Sequence, residues 1–364
     1  MKKLKDFNTD IKNILLIRRN NIGDMIGVIP VFKSIRKEFP EAHITILADS
    51  MNAGIIEGAS FIDDILICKK GSGIYRNKYL NYWKLFQKNK RRFDLAIGLK
   101  RGFSSTLAVI TVISRARIRA GCTPEKWHPL QFCYNLPVSG CKKWNSINHI
   151  DAFLEFIKTI GIENTVKDIS IEITPDSKAK VRKFFKETLM FHSNTNDIEK
   201  NPPSPPFDKG GRGGFSEINN IVVFNISSNK PENTWPLDKF KELGDTLNQK
   251  YKAIIIITST LSDMDKALAL CKQADGAAFY FQTPKVMDFA ALAAESDLLI
   301  CGEGGAMHIG AAVKTPTISL WGSLRPKKWH PFGDKQFVVK KGEHVDSISA
   351  DDVMEVIREN KLLK

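Results

Sequence analysis

The sequence predicts an α/β protein built from two doubly wound parallel-sheet units that follow one another along the chain. In the first half, short apolar segments alternate with amphipathic helical segments, the pattern of parallel strands covered by helices. The same alternation begins again at residue 220. Between the halves, residues 201–215 are rich first in Pro and then in Gly, and such a composition buries too little apolar surface to fold.

These observations divide the chain into four segments. We expect a Rossmann-like domain at residues 1–175, then a helix and a disordered insertion at 176–219. A second Rossmann-like domain is expected at 220–340, and a C-terminal helix at 341–364. Ligands of such sheets bind beyond the carboxyl ends of the strands, so the loops that follow the strands are the candidate binding elements.

In the first half, the apolar run at residues 14–18 predicts a buried strand, and residues 28–39 predict an amphipathic helix. Val31, Ile35 and Phe39 share one face of that helix, and Pro30 suits its first turn. Further strands are predicted at 43–48, 64–68, 93–99 and 117–121, and further helices at 78–90, 104–113 and 150–160.

The second half repeats the pattern in shorter steps. Strands are predicted at 220–225, 253–258, 277–281, 297–301 and 317–321, and helices at 237–250, 262–273, 286–295, 306–313 and 350–360. Two doubly wound sheets in series therefore follow from periodicity alone.

Charge and composition narrow the class of partner. The chain has 54 Lys and Arg against 40 Asp and Glu, a formal net charge of +14, which attracts phosphorylated or otherwise anionic partners. No zinc-finger or RNA-binding motif is present, so an anionic acceptor or membrane surface is favoured over nucleic acid. No apolar run reaches the length of a membrane span, and no signal-peptide core follows the basic start. We expect a cytoplasmic protein.

The cysteines give no sign of a metal site or a disulfide framework. The six cysteines are scattered along the chain without a Cys-x-x-Cys pair. We expect them to be reduced and to lie in or near the core.

The first candidate site is the turn between the first predicted strand and the first helix, residues 17–27. It lacks the spacing of the dinucleotide fingerprint, and instead carries one carboxylate, Asp24. An aspartate at this position either caps the helix or faces a ligand at the carboxyl edge of the sheet. The residues alone leave both interpretations open.

The second candidate site is the glycine-rich turn at residues 301–308, again between a strand and a helix. Small residues allow a ligand close to the backbone, and the amides of the following helix suit a diphosphate. His308 lies one turn into that helix, where it either faces the ligand or packs beneath the loop.

The third candidate site is the polar loop at residues 225–236, whose hydroxyls and lysine suit phosphate oxygens. Farther along, Asp263 and Asp265 match the D-x-D pattern of metal-dependent glycosyltransferases, but they stand at a predicted helix start without further ligands. We therefore predict no metal, and a contact from Asp263 to a ribose hydroxyl.

These segments, in this order, resemble glycosyltransferase family 9, the ADP-heptose:lipopolysaccharide heptosyltransferases. The resemblance covers nearly the whole chain except the insertion. The segments that carry it are 14–18, Gly23-Asp24, Pro30, Arg36, 39–40, 93–95, Leu99, 117–121, 149–161, 302–308, 311–312, 315–317, 321–322, Trp329 and Pro331. It implies the GT-B fold, in which two Rossmann-like domains face each other across a cleft. In that fold the N-terminal domain binds the acceptor and the C-terminal domain binds the nucleotide sugar. It also implies an inverting reaction that needs no metal or other cofactor.

The resemblance and the positions of the candidate loops together give roles to individual residues. Asp24 becomes the general base that deprotonates the acceptor hydroxyl. The predicted donor-binding residues are Arg18, Asn20, Ser227, Ser228, Lys230, Asn233, Asp263, Gly302, Glu303, Gly304, Gly305, Ala306, Met307 and His308. The predicted acceptor-binding residues are Arg19, Lys100, Arg101 and Arg119.

Two positions depart from the family pattern. Glu303 stands where the family usually has an aspartate, and Asn233 stands where it commonly has a lysine. Our hypothesis is that Lys230 or Arg19 supplies the missing positive charge.

The function implied by the resemblance is transfer of heptose from ADP-heptose to an anionic lipopolysaccharide-core glycolipid, at the cytoplasmic face of the inner membrane and without nucleic acid. Two alternatives stay open. One is a family relative that uses another nucleotide sugar for a different surface glycan. The other is a catalytically silent protein that binds a sugar nucleotide or a glycolipid.

Overall fold

The structure is a computed structural model that describes residues 2–68, 75–89, 91–196, 220–228, 231–274, 278–323 and 329–364. The chain forms two compact units. The N-terminal unit comprises Met1–Glu172 with Arg325–His330, and the C-terminal unit comprises Ile173–Leu324 with Pro331–Lys364. Most of the insertion expected to be disordered, residues 197–219, lies outside the described residues.

The N-terminal unit is a parallel sheet of six strands. The strands are β1 (Asn13–Ile17), β2 (His43–Asp49), β3 (Asp64–Cys68), β4 (Leu95–Gly98), β5 (Ile118–Cys122) and β6 (Leu136–Val138), in the order β3-β2-β1-β4-β5-β6. Residues 14–17 of β1 are fully buried because helices cover both faces of the central strands. Ile17 pairs with Leu47 on one side and with Gly98 on the other. Chain direction therefore brings the loops after β1, β2 and β4 to one edge.

Helices connect these strands. They are α1 (Ile22–Ile26), α2 (Ile29–Glu38), α3 (Tyr75–Lys88), α4 (Ser105–Ile113) and α5 (His149–Thr159). Pro30 lies in the first turn of α2, as predicted, where its missing amide proton costs nothing. Asn148 begins α5 by accepting a hydrogen bond from the amide of Ile150.

The C-terminal unit repeats this architecture. Its strands are β7 (Ile221–Asn225), β8 (Ile254–Thr258), β9 (Ala278–Tyr280), β10 (Leu298–Gly302), β11 (Thr317–Trp321) and β12 (Gln336–Lys340), in the order β12-β11-β10-β7-β8-β9. Its helices are α6 (Pro175–Asn196), α7 (Leu237–Tyr251), α8 (Met264–Lys272), α9 (Val286–Ala294), α10 (Gly305–Ala312) and α11 (Ala350–Glu359). The predicted class, two doubly wound parallel sheets, is confirmed.

Sequence periodicity missed two strands, the short helix α1 and one helix boundary. β6 has three residues and contains Pro137, and β12 begins and ends on polar residues, so neither gives an apolar run. The helix predicted at 262–273 starts as a 3₁₀ turn, Leu261–Asp263, before α8 begins. None of the described helices combines the length and apolarity that crossing a bilayer requires.

The expectation of unpaired cysteines is wrong for Cys122 and Cys141, which form a disulfide with Cα atoms 6.2 Å apart. Strand pairing brings them together. Cys122 ends β5 opposite Val138 of β6, and Cys141 follows that strand by three residues. The contact is set by sheet register, which cysteine spacing does not encode.

A buried carboxylate fastens α6 to the C-terminal unit. Asp288 of α9 is 3% exposed and accepts hydrogen bonds from Ser177 Oγ (2.8 Å) and Lys180 Nζ (2.8 Å). Burial alone would raise the pKa of Asp288, but these two donors outweigh burial and hold the pKa below its usual value.

We predict that Asp288→Asn lowers the free energy of unfolding by about 1–3 kcal/mol near neutral pH, because Lys180 loses its charged partner. A carboxylate whose pKa is lowered by folding stabilises the folded state at pH values above its pKa in the unfolded chain. This stabilisation is lost as the pH falls through its pKa in the folded state. The deficit should therefore shrink between about pH 5 and about pH 3. Denaturation curves across that range, with exposed Asp265→Asn as the control, measure it. A deficit that does not change with pH would contradict the assignment.

Candidate functional site

Asp24 is held by a buried arginine. Arg18 directly follows β1 and is 3% exposed. Its Nη1 donates to the carbonyl of Leu99 (2.7 Å), its Nε donates to the backbone oxygen of Asp24 (3.0 Å), and its Nη2 donates to Asp24 Oδ1. Burial lowers the pKa of Arg18, and the negative charge of Asp24 partly opposes that shift. The ion pair fixes the carboxylate in the first turn of α1.

A second arginine and three rings complete the surroundings of Asp24. Arg101 attracts Asp24 electrostatically, and its guanidinium carbon lies 5.5 Å from the ring of Trp329. Trp329 packs against His149 (5.8 Å between centroids), and His149 against Phe153 (4.9 Å). Phe153 in turn lies beneath Arg18 at 5.2 Å. All these residues belong to the N-terminal unit.

Two further features show how tightly this cluster is built. A Cβ atom at Gly27 would lie only 2.3 Å from the ring of His149, so only glycine allows α1 to approach α5 this closely. Arg101 has a buried Nη1 that finds no hydrogen-bond acceptor among the described residues. A buried guanidinium donor without an acceptor is suited to an incoming anionic group.

A cavity of about 240 Å³ opens at the same edge of the sheet. It is lined by Arg18, Arg19, Asn20, Asp49, Leu99, Lys100, Ser104, Thr106 and Leu107. Arg19 donates to Asp49 (3.3 Å) and lies 5.0 Å from the ring of Tyr82. Arg18 is already paired with Asp24. Arg19 and Lys100 against Asp49 therefore leave the lining with an excess of positive charge, which suits an anionic ligand.

The cavity mixes residues that the sequence assigned to different ligands. Arg18 and Asn20, predicted to bind the donor, line it together with Arg19 and Lys100, predicted to bind the acceptor. Arg119 lies apart in β5, where it donates to the carbonyls of Cys133 (2.7 Å) and Ala116 (2.9 Å). The Arg119 guanidinium therefore supports the loop after β5.

In the C-terminal unit, the glycine-rich turn follows β10 as predicted. Gly302 ends the strand, Gly304 has φ of +152°, which disfavours a side chain, and α10 begins at Gly305. The first amides of α10 therefore border a loop of small residues, as an anion site requires. Ala306 is half-buried in this first turn.

The two departures from the family pattern meet in space. Asn233 and Glu303 are 5% and 7% exposed, and Asn233 Nδ2 donates to Glu303 Oε1. A Cβ at Gly302 would come within 3.1 Å of the Asn233 carbonyl. The departures are therefore one paired feature, in which a neutral amide faces the longer acid.

The remaining predicted donor residues fall into three groups. Asp263 accepts hydrogen bonds from Lys266 and Ser227, both at 2.8 Å; the bond from Lys266 is the main cause that lowers its pKa. Met307 is 2% exposed, so its side chain belongs to the core, and His308 is half-buried one turn into α10. Ser228 is half-buried after β7, whereas Lys230 lies outside the described residues.

Sequence reasoning found the loops but missed their internal contacts. It assigned Arg18 to the diphosphate, whereas the structure uses three of its donors within the N-terminal unit. It did not identify Phe153 or the ring of Trp329 as neighbours of the arginines around Asp24. Their only sequence signal is the position of Phe153 four residues after His149 on one helix face.

Two parallel six-stranded sheets covered by helices, each with polar or glycine-rich loops at its carboxyl edge, give the chain the GT-B fold of heptosyltransferase structures. The chain belongs to glycosyltransferase family 9 (heptosyltransferase), whose family model matches residues 82–356. It is therefore a glycosyltransferase. The matched range contains the glycine-rich turn but not Asp24.

Relatives found by sequence agree with the family assignment. The chain is 22% identical over 346 residues to lipopolysaccharide heptosyltransferase 3 of Escherichia coli, covering 90% of this chain and 89% of that one. It is 19% identical over 339 residues to lipopolysaccharide core heptosyltransferase OpsX of Haemophilus influenzae, covering 90% and 84%.

The fold is similar to a family 9 glycosyl transferase from Veillonella parvula, with a TM-score of 0.76, 17% identity and 97% of both chains covered. It is also similar to the E. coli heptosyltransferase WaaC with ADP, with a TM-score of 0.71, 15% identity and 96% and 99% covered. These likenesses establish the fold.

We predict that Asn233→Asp, a nearly isosteric change, destabilises the C-terminal unit by about 1–3 kcal/mol near neutral pH, because two buried carboxylates then share one site. One of them must bind a proton in the folded state, which raises its pKa. A carboxyl group whose pKa is raised by folding does not destabilise the folded state at pH values below its pKa in the unfolded chain. It destabilises the folded state increasingly as the pH rises above that pKa.

The deficit of Asn233→Asp should therefore grow between about pH 5 and about pH 8, as measured by denaturation. Asn81→Asp, on an exposed residue of α3, is the matched control. Equal behaviour of the two variants would rule out a buried contact between Asn233 and Glu303.

Proposed function

We propose that this glycosyltransferase moves heptose from ADP-heptose to a lipopolysaccharide-core acceptor, with inversion at the anomeric carbon and without a metal ion. The observation that carries the proposal is the fixed Asp24 carboxylate beside a cationic cavity at the carboxyl edge of the N-terminal sheet. The names of the relatives support heptose as the sugar. A solved similar structure is described as WaaC with ADP-2-deoxy-2-fluoro heptose, which supports ADP as the nucleotide.

The chemical step is one displacement. The acceptor hydroxyl oxygen forms a bond to the anomeric carbon while the bond from that carbon to the diphosphate oxygen breaks. The diphosphate leaves with the electron pair, and the hydroxyl proton passes to Asp24 as general base. Backbone amides at the start of α10 meet the charge that develops on the diphosphate.

Arg18 acts in this scheme as a positioning residue. Its guanidinium bonds Asp24 through both the backbone and the carboxylate, which leaves the second carboxylate oxygen to receive the proton. We assign the anionic part of the acceptor to Arg19, Lys100 and Arg101, since two of these line the cavity and the third has a buried donor without an acceptor. We place the reaction at the cytoplasmic face of the inner membrane.

A second candidate is a family 9 enzyme that uses a different nucleotide sugar. The contact between Asn233 and Glu303 favours it, because the position where the family commonly has a lysine carries no positive charge here. Isothermal titration with ADP, UDP and GDP separates the two candidates. We expect ADP to bind at least about tenfold more tightly than the others, a difference of about 1.4 kcal/mol. Preference for UDP or GDP would favour the second candidate.

We predict that Asp24→Asn keeps nucleotide affinity but lowers kcat for transfer by about 10²–10⁴-fold, because the amide cannot take the proton. Asp10→Asn, on an exposed residue of the same unit, should leave kcat unchanged. The measurement pairs nucleotide titration with a transfer assay on a core acceptor. Near-normal kcat in Asp24→Asn would refute the general-base role, and loss of transfer in both variants would point to misfolding, which circular dichroism detects.

A further inference from the structure

Helix α3 has a buried aromatic face and an exposed face of unusual composition. Tyr82 and Phe86 are 0% and 8% exposed and pack in the core of the N-terminal unit. On the other side, Leu80 and Trp83 are each 45% exposed. A large exposed apolar pair on one helix face marks a surface that meets something other than water.

Cations surround this apolar pair. Lys84 and Lys88 are exposed on the same side of the helix, one and two turns after Leu80, and Arg91 and Arg92 are exposed just beyond its end. Residues 75–92 contain no Asp or Glu. We call Leu80, Trp83, Lys84, Lys88 and Arg91 the α3 face.

The α3 face continues onto the edge of the sheet. Lys88 and Arg91 line a groove together with Leu66 of the edge strand β3, and Asp64 contributes one acidic side chain to it. Leu66 is half-buried and packs on the α3 side of β3. The unpaired side of an edge strand is a surface that proteins normally cover.

We propose that the α3 face docks the protein onto an anionic lipid bilayer. Tryptophan and leucine suit the boundary between headgroups and acyl chains, and the long lysine and arginine side chains reach the phosphates while their stems lie along the apolar region. Each cation near an anionic leaflet adds to the attraction. The composition thus meets both requirements of an interfacial helix.

Charge argues against the other candidate occupant, a second copy of this chain. A two-fold contact brings the same patch of both copies together, so the cations of one α3 face would oppose those of the other. An anionic bilayer instead neutralises them. Like-charge repulsion therefore favours the bilayer over self-association.

The helix also connects this surface to the site. Tyr82, on the buried side of α3, lies 5.0 Å from the guanidinium of Arg19, which lines the cationic cavity. The cavity and the docking face are thus separated by about one helix diameter, roughly 10 Å. A protein seated on this face would hold the cavity near the membrane surface. Docking through this face requires neither sugar transfer nor a particular donor.

The test measures binding to vesicles without any nucleotide. Vesicles of phosphatidylethanolamine with phosphatidylglycerol are compared with phosphatidylcholine vesicles by co-sedimentation. We expect the wild type to bind the anionic vesicles at least about tenfold better, with affinity falling as salt rises. Equal binding to both compositions, or no binding to either, overturns the proposal.

Charge variants locate the surface. Lys84→Glu combined with Lys88→Glu should weaken binding to anionic vesicles by more than about tenfold, since each lost cation is worth about a fivefold factor. Lys178→Glu combined with Lys186→Glu removes equal charge from exposed positions on α6 and should have a smaller effect. Equal losses in the two double variants would mean that net charge, not the α3 face, determines binding, and would overturn the assignment.

Apolar variants test insertion. Leu80→Ser combined with Trp83→Ser should weaken binding severalfold, whereas Leu261→Ser, on a residue 70% exposed in the C-terminal unit, should not. The tryptophan emission of the wild type should shift to the blue on vesicle binding, and Trp83→Phe should abolish the shift. An unchanged shift in Trp83→Phe, or a concentration-dependent dimer abolished by the α3 variants, overturns docking through this face.

The results of the vesicle-binding tests can be distinguished from the results of a sugar-transfer assay. Wild type that binds vesicles but transfers no sugar would support the docking face and reject the proposed reaction. Wild type that transfers sugar to a water-soluble, deacylated acceptor but binds no vesicles would do the reverse. A combination of two results would also overturn the proposal. The first is that nucleic acid displaces the wild type from vesicles, and the second is that the variant with Leu80→Ser and Trp83→Ser binds vesicles normally.

Discussion

The buried guanidinium of Arg18 is the interaction on which the N-terminal site depends. A charge removed from water is tolerated only where partners compensate it. Arg18 finds that compensation in the Asp24 carboxylate and in two backbone carbonyls, one in α1 and one directly after β4. Three chain segments are thereby fixed by one side chain. The position of the proposed general base is thus a consequence of how the unit neutralises a charge in its interior.

The C-terminal unit also buries an ionisable side chain, but with a different kind of partner. Glu303 is nearly as buried as Arg18, but its identified side-chain donor is the neutral amide of Asn233. A lysine in that place would add a positive charge beside Glu303, whereas the amide adds none. A bound diphosphate would then meet a more negative loop, so the amides that begin α10 carry more of the stabilisation. A single substitution can therefore alter donor preference without any change of fold.

The periodicity of apolar residues in the sequence was sufficient to predict the strands that are completely buried. The run at residues 14–18 became β1 with little change, and the core of the C-terminal sheet followed from similar runs. It failed at β6 and β12, which lie at sheet edges and lack an apolar run. The site was predictable to the level of loops, since strand ends converge in any parallel sheet. The partners of Arg18 were not, because Leu99 lies 81 residues away in sequence and only strand order brings it close.

The positive net charge is known from composition, but only the structure shows where the individual cations lie. The excess of cations in the first half predicts an anionic partner, yet the structure distributes these residues among three environments. Arg18 and Arg119 donate hydrogen bonds to backbone carbonyls inside the fold, so their guanidinium groups stabilise the protein itself. Arg19 and Lys100 line a cavity, whereas Lys84 and Lys88 stand on an exposed helix face beside Trp83. A small anion and a lipid surface thus draw on different cations, and a single charge variant can weaken one interaction without the other.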